Sequence, residues 1–171
     1  MIYIYSFALT FVPGIGMAFA TGPEQVMRSM SYLVSLRLIN LDWISQKLLA
    51  RYLEKGLYQR RIGEFRNDYM AKRDAMCGWL DRCRPLGLSY EKPSGGVYVW
   101  CRLPDGISDS KFAAQAAKAG LRVTPGRMFY ADGKGGRDHI RLNYSFPNME
   151  QIDRGMRIFY EVLKELVSGT I

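Results

Sequence analysis

Two nearly continuous apolar runs, residues 2–7 and 15–20, open the chain, and Pro13 lies between them. Runs of this length without polar alternation predict strands that are buried on both faces, as in a parallel or mixed α/β sheet. From residue 21 the apolar spacing becomes helical. We therefore expect one helix over about 22–38 and a second over about 42–56.

Apolar stripes mark this second helix and a longer one that follows it. The second helix places Ile44, Leu48 and Tyr52 on one stripe. The longer helix is predicted over about 58–84, and Pro85 ends it. Its stripe is typical of core packing rather than of a cofactor site and consists of Ile62, Phe65, Tyr69, Met76 and Leu80.

After Pro85 the pattern alternates between strands and helices. The resulting ββαββα order predicts an antiparallel sheet with helices on one face, so the fold class is α/β with an α+β C-terminal part. The predicted strands cover about 88–92, 96–103, 121–124 and 139–145, and the predicted helices cover about 109–119 and the residues after Asn148, whose capping-box partner is Gln151.

The N-terminal stretch imitates a signal peptide, because residues 1–23 carry no charged side chain and Ala18-Phe19-Ala20 resembles a cleavage site. No basic residue precedes the apolar run, however, and Pro13 and Gly14 interrupt it. A membrane span would need about 20 unbroken apolar residues. We expect a cytoplasmic protein without membrane contact, and a secreted or membrane-attached domain is the alternative.

Charge and cysteine content narrow the possible partners. The chain has 24 Lys and Arg against 16 Asp and Glu, which gives a net charge of +8. The basic residues are scattered and no aromatic-basic recognition motif is present, so direct nucleic-acid binding is not expected. Three cysteines, Cys77, Cys83 and Cys101, form no C-x-x-C pair and have one histidine, His139, to join them. Neither a metal site nor a disulfide framework is expected.

Four segments resemble landmarks of the class I/II, fold type I, pyridoxal-phosphate-dependent aminotransferases, in the family's order. Residues 5–16 resemble the cofactor-lysine pattern G-S-F-S-K-T-x-x-P-G-L-R-x-G, and residues 93–100 resemble P-x-G-G-x-F-x-W. Residues 124–129 resemble the small-domain P-G-x-x-F, and residues 140–145 resemble I-R-L-x-F-S. The sequence is most similar to 2-aminoadipate-like aminotransferases and to the aminotransferase-like domain of MocR-type GntR regulators.

The resemblance implies a domain organisation. Residues 1–58 would be a remnant of the large cofactor domain, 59–84 the connecting helix and 85–171 the small C-terminal domain. The resemblance also implies that the family's pyridine-stacking aromatic residue and ring-nitrogen aspartate would belong to a part that precedes this chain. We expect a truncated segment, and a decayed reading frame and an excised piece both remain open.

Residues 5–16 depart from the cofactor-lysine pattern at positions to which the resemblance gives cofactor-binding roles. The resemblance places the Schiff-base lysine at Leu9, and leucine offers neither a nucleophile nor a proton. The phosphate-binding arginine falls at Gly16 and the serine before the lysine falls at Ala8. Ser6 remains as a weak phosphate ligand, or as an ordinary turn serine. We expect no catalytic residue and no covalent binding of pyridoxal phosphate by this chain.

Arg141 matches the arginine that, in the family, binds the substrate's α-carboxylate through a bidentate fork. The alternative is a strand arginine that points to solvent or pairs with Asp138. The neighbouring His139 is interpreted as an ordinary strand residue rather than a proton shuttle.

The preferred interpretation is the C-terminal segment of an aminotransferase-family protein that is catalytically inactive on its own. Intact relatives would transfer an amino group between an amino acid and a 2-oxo acid. The alternative is a non-enzymatic oligomerisation or effector-binding module of a MocR-type regulator. Apolar N-terminal strands with open edges predict a homo-oligomer in either case.

Overall fold

The computed structural model describes residues 1–12, 14–37 and 42–169. The chain divides into two compact units, Met1–Arg66 and Asn67–Ile171. In the parts of the chain that are described, no helix combines the length and the apolar character needed to cross a membrane.

The first unit begins with a two-stranded antiparallel ribbon of β1 (Tyr3–Ser6) and β2 (Ala18–Thr21). The expectation of strands buried on both faces is wrong, because most side chains of the ribbon, including Ile4 and Phe19, are exposed. The physical reason is that β1 and β2 pair only with each other among the described residues, and a ribbon of two strands is too narrow to carry packed layers on both faces.

Two helices follow the ribbon, α1 (Glu24–Arg37) and α2 (Trp43–Glu54). The predicted end of α1 at residue 38 lies outside the described residues. Helix α2 begins after Asp42, whose carboxylate accepts a hydrogen bond from the backbone N–H of Ser45 at 3.2 Å, and Gly56 follows its end with a left-handed φ of +66°. Its expected apolar stripe is largely exposed, and the buried residue of α2 is Leu49.

Helix α3 (Leu57–Cys83) is the long helix expected from the sequence, and residues 67–83 of it belong to the second unit. A four-stranded antiparallel sheet follows, in the spatial order β3-β4-β6-β5. The predicted ββαββα order is confirmed by β3 (Ser89–Tyr90), β4 (Tyr98–Arg102), α4 (Asp109–Lys118), β5 (Thr124–Pro125), β6 (His139–Asn143) and α5 (Met149–Ser168).

The core of the second unit lies on one face of this sheet. Burial alternates along the two central strands, with Val99, Cys101, Ile140 and Leu142 buried. The same core contains fully buried side chains from all three helices of the unit, namely Leu80, Phe112, Phe159 and Leu163. Because strand side chains alternate between faces, the residues between the buried ones, among them Tyr98, Trp100 and Arg141, lie on the opposite, open face of the sheet.

Candidate functional site

Arg141 lies at the centre of the open face of the sheet. It is the middle residue of β6 and pairs with Trp100 on β4 and with Thr124 on β5. Its guanidinium carbon lies over the ring of Tyr98, 3.9 Å from the centroid, and over the ring of Phe129, 4.3 Å from the centroid. Such contacts are cation–π interactions. Within the described residues, no carboxylate forms an ion pair with Arg141.

The ring of Trp100 lies beside those of Tyr98 and Phe129, and these three side chains form an aromatic patch. Phe129 meets the indole edge-to-face with the centroids 5.5 Å apart, and the imidazole of His139 stacks on the indole at 5.2 Å. The three aromatic side chains are only partly covered, because Tyr98, Trp100 and Phe129 are 36%, 37% and 45% exposed. The open face therefore presents an arginine within a group of accessible rings.

Asp138 binds two cationic or potentially cationic neighbours, but not Arg141. Nε of Arg102 donates to its carboxylate at 2.9 Å, and Nδ1 of His139 lies 2.7 Å from its other oxygen. The Arg102 hydrogen bond, opposed by partial burial and assisted by His139, lowers the pKa of Asp138. This partner of His139 was not predicted from the sequence, although Asp138 is its direct neighbour in the chain.

A cavity of about 270 Å³ lies where the β5–β6 edge of the sheet meets α5, and Arg141 contributes to its wall. Apolar and uncharged polar side chains supply most of the remaining surface, which includes Leu121, Thr124, Asn143, Gln151, Ile152 and Met156.

Asp109 forms a buried ion pair with Arg127 that was not predicted from the sequence. Its side chain is completely buried, and its carboxylate accepts hydrogen bonds from Nε and Nη2 of Arg127 and from the backbone N–H of the same residue. Burial alone would raise the pKa of Asp109, but the hydrogen bonds from Arg127 and from the backbone lower it below its usual value. The sequence shows Asp109 only as an acid in the first turn of a helix, which hides its long-range partner.

The short 3₁₀ turn Gly126–Phe129 connects this ion pair to the aromatic patch. A Cβ atom at Gly126 would lie 2.6 Å from the carbonyl oxygen of His139 and would also overlap the carbonyl oxygen of Gly136. Only glycine fits at this position, so the turn packs directly against the backbone that leads into β6. This packing fixes where Phe129 leaves the turn.

Hydroxyl groups form the side-chain hydrogen bonds of residues 5–10. Ser6 Oγ accepts a 3.4 Å hydrogen bond from the backbone N–H of Ala8 and caps the 3₁₀ turn Phe7–Leu9. The hydroxyl of Thr10 accepts hydrogen bonds from Tyr5 at 3.1 Å and from Tyr58 at 2.8 Å, and the two tyrosine hydroxyls also contact each other. Burial raises the pKa of Tyr58. This hydroxyl cluster was not anticipated, because Tyr58 belongs to a distant helix.

The three cysteines are free and buried. Among the residues that the structure describes, no group of three or more His, Cys, Asp or Glu side chains could hold a metal ion.

Comparison with known proteins gives the family. The sequence profile of aminotransferase class I and II matches residues 2–159. The chain belongs to this aminotransferase family. The family predicted from the sequence is therefore confirmed, as is the predicted fold class.

Relatives of this aminotransferase-family chain include enzymes and regulators. It is 30% identical to the 2-aminoadipate transaminase of Thermus thermophilus, over 98% of this chain and 42% of the relative. It is 26% identical to the HTH-type transcriptional regulator YisV of Bacillus subtilis, over 98% of this chain and 34% of the regulator. The chain thus spans about two fifths or less of the length of these relatives.

Solved aminotransferase structures share its fold. The structure of LysN, the α-aminoadipate aminotransferase of Thermus thermophilus complexed with N-(5′-phosphopyridoxyl)-L-leucine, matches 98% of this chain and 42% of its own with a TM-score of 0.88 and 30% identity. The kynurenine aminotransferase of Pyrococcus horikoshii, in complex with PMP, matches 96% of this chain and 41% of its own with a TM-score of 0.89 and 30% identity.

Aminotransferases of this family depend on pyridoxal phosphate, so the residues of this chain can be tested against that cofactor. A Schiff base needs an amine, and a phosphate site needs cationic or N–H donors. Residues 5–16 contain neither lysine nor arginine, and the hydroxyl of Ser6 already caps a turn. The donor set of this segment does not fit the cofactor, so we assign no chemical step through the cofactor to this chain.

Proposed function

We propose that this chain binds the carboxylate of an amino acid or a 2-oxo acid through Arg141 and does not transfer amino groups through position 9. The observation that carries the proposal is the guanidinium of Arg141, which lies over the rings of Tyr98 and Phe129 and has no acidic partner among the described side chains. Ring contacts use the flat faces of a guanidinium. Its N–H donors lie in the plane of the group and so remain available for a bidentate carboxylate.

Each residue of the site has a defined role in this proposal. Arg141 supplies the charge and the fork of donors. Tyr98 and Phe129 restrict the rotation of the guanidinium and reduce its contact with water, which strengthens its interaction with an anion. The adjoining cavity of about 270 Å³ is large enough to receive part of a small ligand.

Carboxylate binding is tested by calorimetric titration with 2-oxoglutarate and with glutamate. We expect the Arg141→Lys variant to bind at least about tenfold more weakly, because an ammonium group cannot form the bidentate pair. Arg157→Lys is the matched control, since Arg157 is 67% exposed on α5 and should be replaceable without effect. Equal affinity of the Arg141→Lys variant, or no binding by the wild type, would contradict the proposal.

Loss of the Schiff base is tested with pyridoxal phosphate itself. The wild type and a Leu9→Lys variant are incubated with the cofactor, reduced with borohydride and analysed by peptide mass spectrometry. We expect no specific adduct on the wild type, because position 9 carries no amine. A single defined lysine that is modified in the wild type would show that another nucleophile has taken over and would overturn this part of the proposal.

A second candidate function is effector binding or assembly within a MocR-type regulator. It is favoured by the match to HTH-type regulators over nearly the whole of this chain. In that case the ligand at Arg141 would be a signal rather than a substrate. We also propose that the chain divides into residues 1–58, 59–84 and 85–171, as in the family. The homo-oligomer is proposed as well.

A further inference from the structure

Asp109 lies where three segments of the second unit meet. Its carboxylate binds Arg127 in the turn Gly126–Phe129, and its backbone N–H donates to the carbonyl oxygen of Arg137 at 2.7 Å. Arg137 lies two residues before β6 begins at His139. One fully buried residue at the start of α4 therefore holds both the turn that carries Phe129 and the backbone that enters the strand of Arg141.

The Asp109–Arg127 ion pair is connected to Arg141 through the turn Gly126–Phe129. Arg127 is tied to Asp109 by its backbone N–H, at 3.2 Å, as well as by its side chain, so the main chain of the turn is fixed and not only a mobile side chain. Phe129 follows two residues later and lies over the guanidinium of Arg141. A shift of this turn would move the Phe129 ring away from the arginine.

We infer that Asp109 is a positioning residue for Arg141, acting through Arg127 and Phe129. The inference rests on the proposed carboxylate binding by Arg141, which it deepens. Asp109 does not touch the ligand site. Its role is to hold the turn in the position that keeps the guanidinium of Arg141 in contact with an aromatic ring.

Helix capping does not require the charge of Asp109. Ser108 is the N-cap of α4, and its hydroxyl accepts the backbone N–H of Lys111 at 3.2 Å. The carboxylate of Asp109 also accepts the N–H of Ser110 at 2.7 Å, and an asparagine side chain can accept the same bond. The Asp109→Asn variant therefore preserves the start of α4 and removes chiefly the ionic attraction to Arg127.

The experiment measures the position of Arg141 and its affinity separately. Aromatic rings shift the NMR signal of a proton that lies over them, so the Nε–Hε signal of Arg141 reports whether the Phe129 ring is in place. We expect Asp109→Asn to move this signal towards its value in a Phe129→Leu variant. The affinity for 2-oxoglutarate should fall roughly threefold to tenfold, as the loss of one cation–π contact implies.

Two further variants keep the test decisive. Asp105→Asn is the matched control, because Asp105 forms an ion pair with Arg102 but is 93% exposed, and it should leave both readouts unchanged. Arg127→Lys breaks the fork-like contact with Asp109 but leaves a cation beside the buried carboxylate, and it replaces Asp109→Asn if that variant does not fold.

The outcomes separate this inference from the proposed function. A wild-type Arg141 signal and wild-type affinity in both pair-breaking variants would overturn the positioning role, even if Arg141→Lys abolishes binding. Equal displacement of amide signals throughout the second unit would also overturn it, because that would show a general structural defect. If the wild type binds no carboxylate, the proposed function fails, while the ring-induced shift still decides whether Asp109 positions Arg141.

Discussion

A buried carboxylate stabilises a protein only while its partner keeps it ionised. Asp109 meets this condition, since Arg127 and two backbone N–H groups outweigh the effect of burial and lower its pKa from the usual 3.8. A carboxyl group whose folded-state pKa is lowered contributes stability that is present above its unfolded-state pKa and is lost as the pH falls through its folded-state pKa. The contribution of Asp109 is therefore complete at neutral pH.

The corresponding prediction concerns acid stability. We expect Asp109→Asn to lower the free energy of unfolding at pH 7 by about 2 kcal/mol, the scale of a lost hydrogen bond to a charged group. The difference from the wild type should shrink below pH 3.8, where the unfolded carboxyl becomes protonated. Urea unfolding at pH 7 and pH 3 measures both values, and a difference that stays constant with pH would contradict the assignment of a lowered pKa.

Thiol reactivity gives a second prediction for single residues. Burial raises the pKa of Cys83 to about 12 and also raises the pKa of Cys77 and of Cys101. Because the thiolate is the reactive form, we expect no fast reaction with a disulfide reagent at pH 8 in the native protein and reaction of all three thiols in urea. A Ser94→Cys variant, which places a thiol in an exposed loop, supplies the positive control. A fast native thiol in the wild type would contradict the buried placement.

At the scale of elements, α5 shows how local chemistry defines a helix start. Asn148 Oδ1 accepts the backbone N–H of Gln151 at 2.8 Å, and the Gln151 side chain accepts the N–H of Asn148 at 2.9 Å. This capping box was predicted from two residue types at the correct spacing and is confirmed.

The energetic value of this cap can be measured. We expect Asn148→Ala to reduce the free energy of unfolding by about 1 kcal/mol, because N–H groups of the first turn lose their partners. Asn148→Asp keeps an acceptor at the cap and should remain within a few tenths of a kcal/mol of the wild type. An unchanged urea midpoint in the alanine variant would show that the cap is not significant for stability.

Helices were predicted more accurately than strands because their signals are local. Helix α4, expected over about 109–119, spans Asp109–Lys118. The strand expected over about 88–92 is reduced to Ser89–Tyr90 at the edge of the sheet. Strand length depends on which neighbour is available to pair, and a single sequence does not contain that information.

The candidate site shows the same limit. A sequence motif singled out Arg141, but the two rings that contact it lie on other elements of the fold. Phe129 reaches Arg141 only because the turn at Gly126 packs against the backbone before β6. The pair of Asp109 and Arg127 is equally invisible, since two charged residues on a helix and a turn give no signal of burial before the fold is known.

At the scale of the whole molecule, the main feature is the large number of apolar side chains that are exposed to solvent. The unit Met1–Arg66 exposes large hydrophobic side chains on its strands and on both of its first helices, among them Ile4, Phe19, Leu33, Leu36, Trp43, Ile44 and Leu48. A soluble monomer rarely leaves so many apolar groups in contact with water. Self-association is the arrangement that we propose to cover them.

Light scattering after size-exclusion chromatography tests this proposal. We expect the wild type to elute as a dimer or larger species and the double variant Ile44→Lys, Leu48→Lys to shift towards the monomer. Both residues lie on one side of α2, where they are 74% and 55% exposed, so charges there should weaken an apolar interface. The two lysines, four residues apart, should cost the helix only about 0.2–0.5 kcal/mol. Gln46→Lys on the same helix is the control. A monodisperse wild-type monomer would exclude the homo-oligomer.

The close contact between Gly126 and Gly136 also limits which amino acids the sequence can carry at these two positions. Residues 131–138 form a polar surface loop, the kind of segment that usually accepts almost any substitution. Here a side chain at Gly136 would meet the backbone of Gly126, and Gly136 also has a φ of +66°. In a saturation library these two positions should be as intolerant as the hydrophobic core, while Lys134 between them should accept most amino acids.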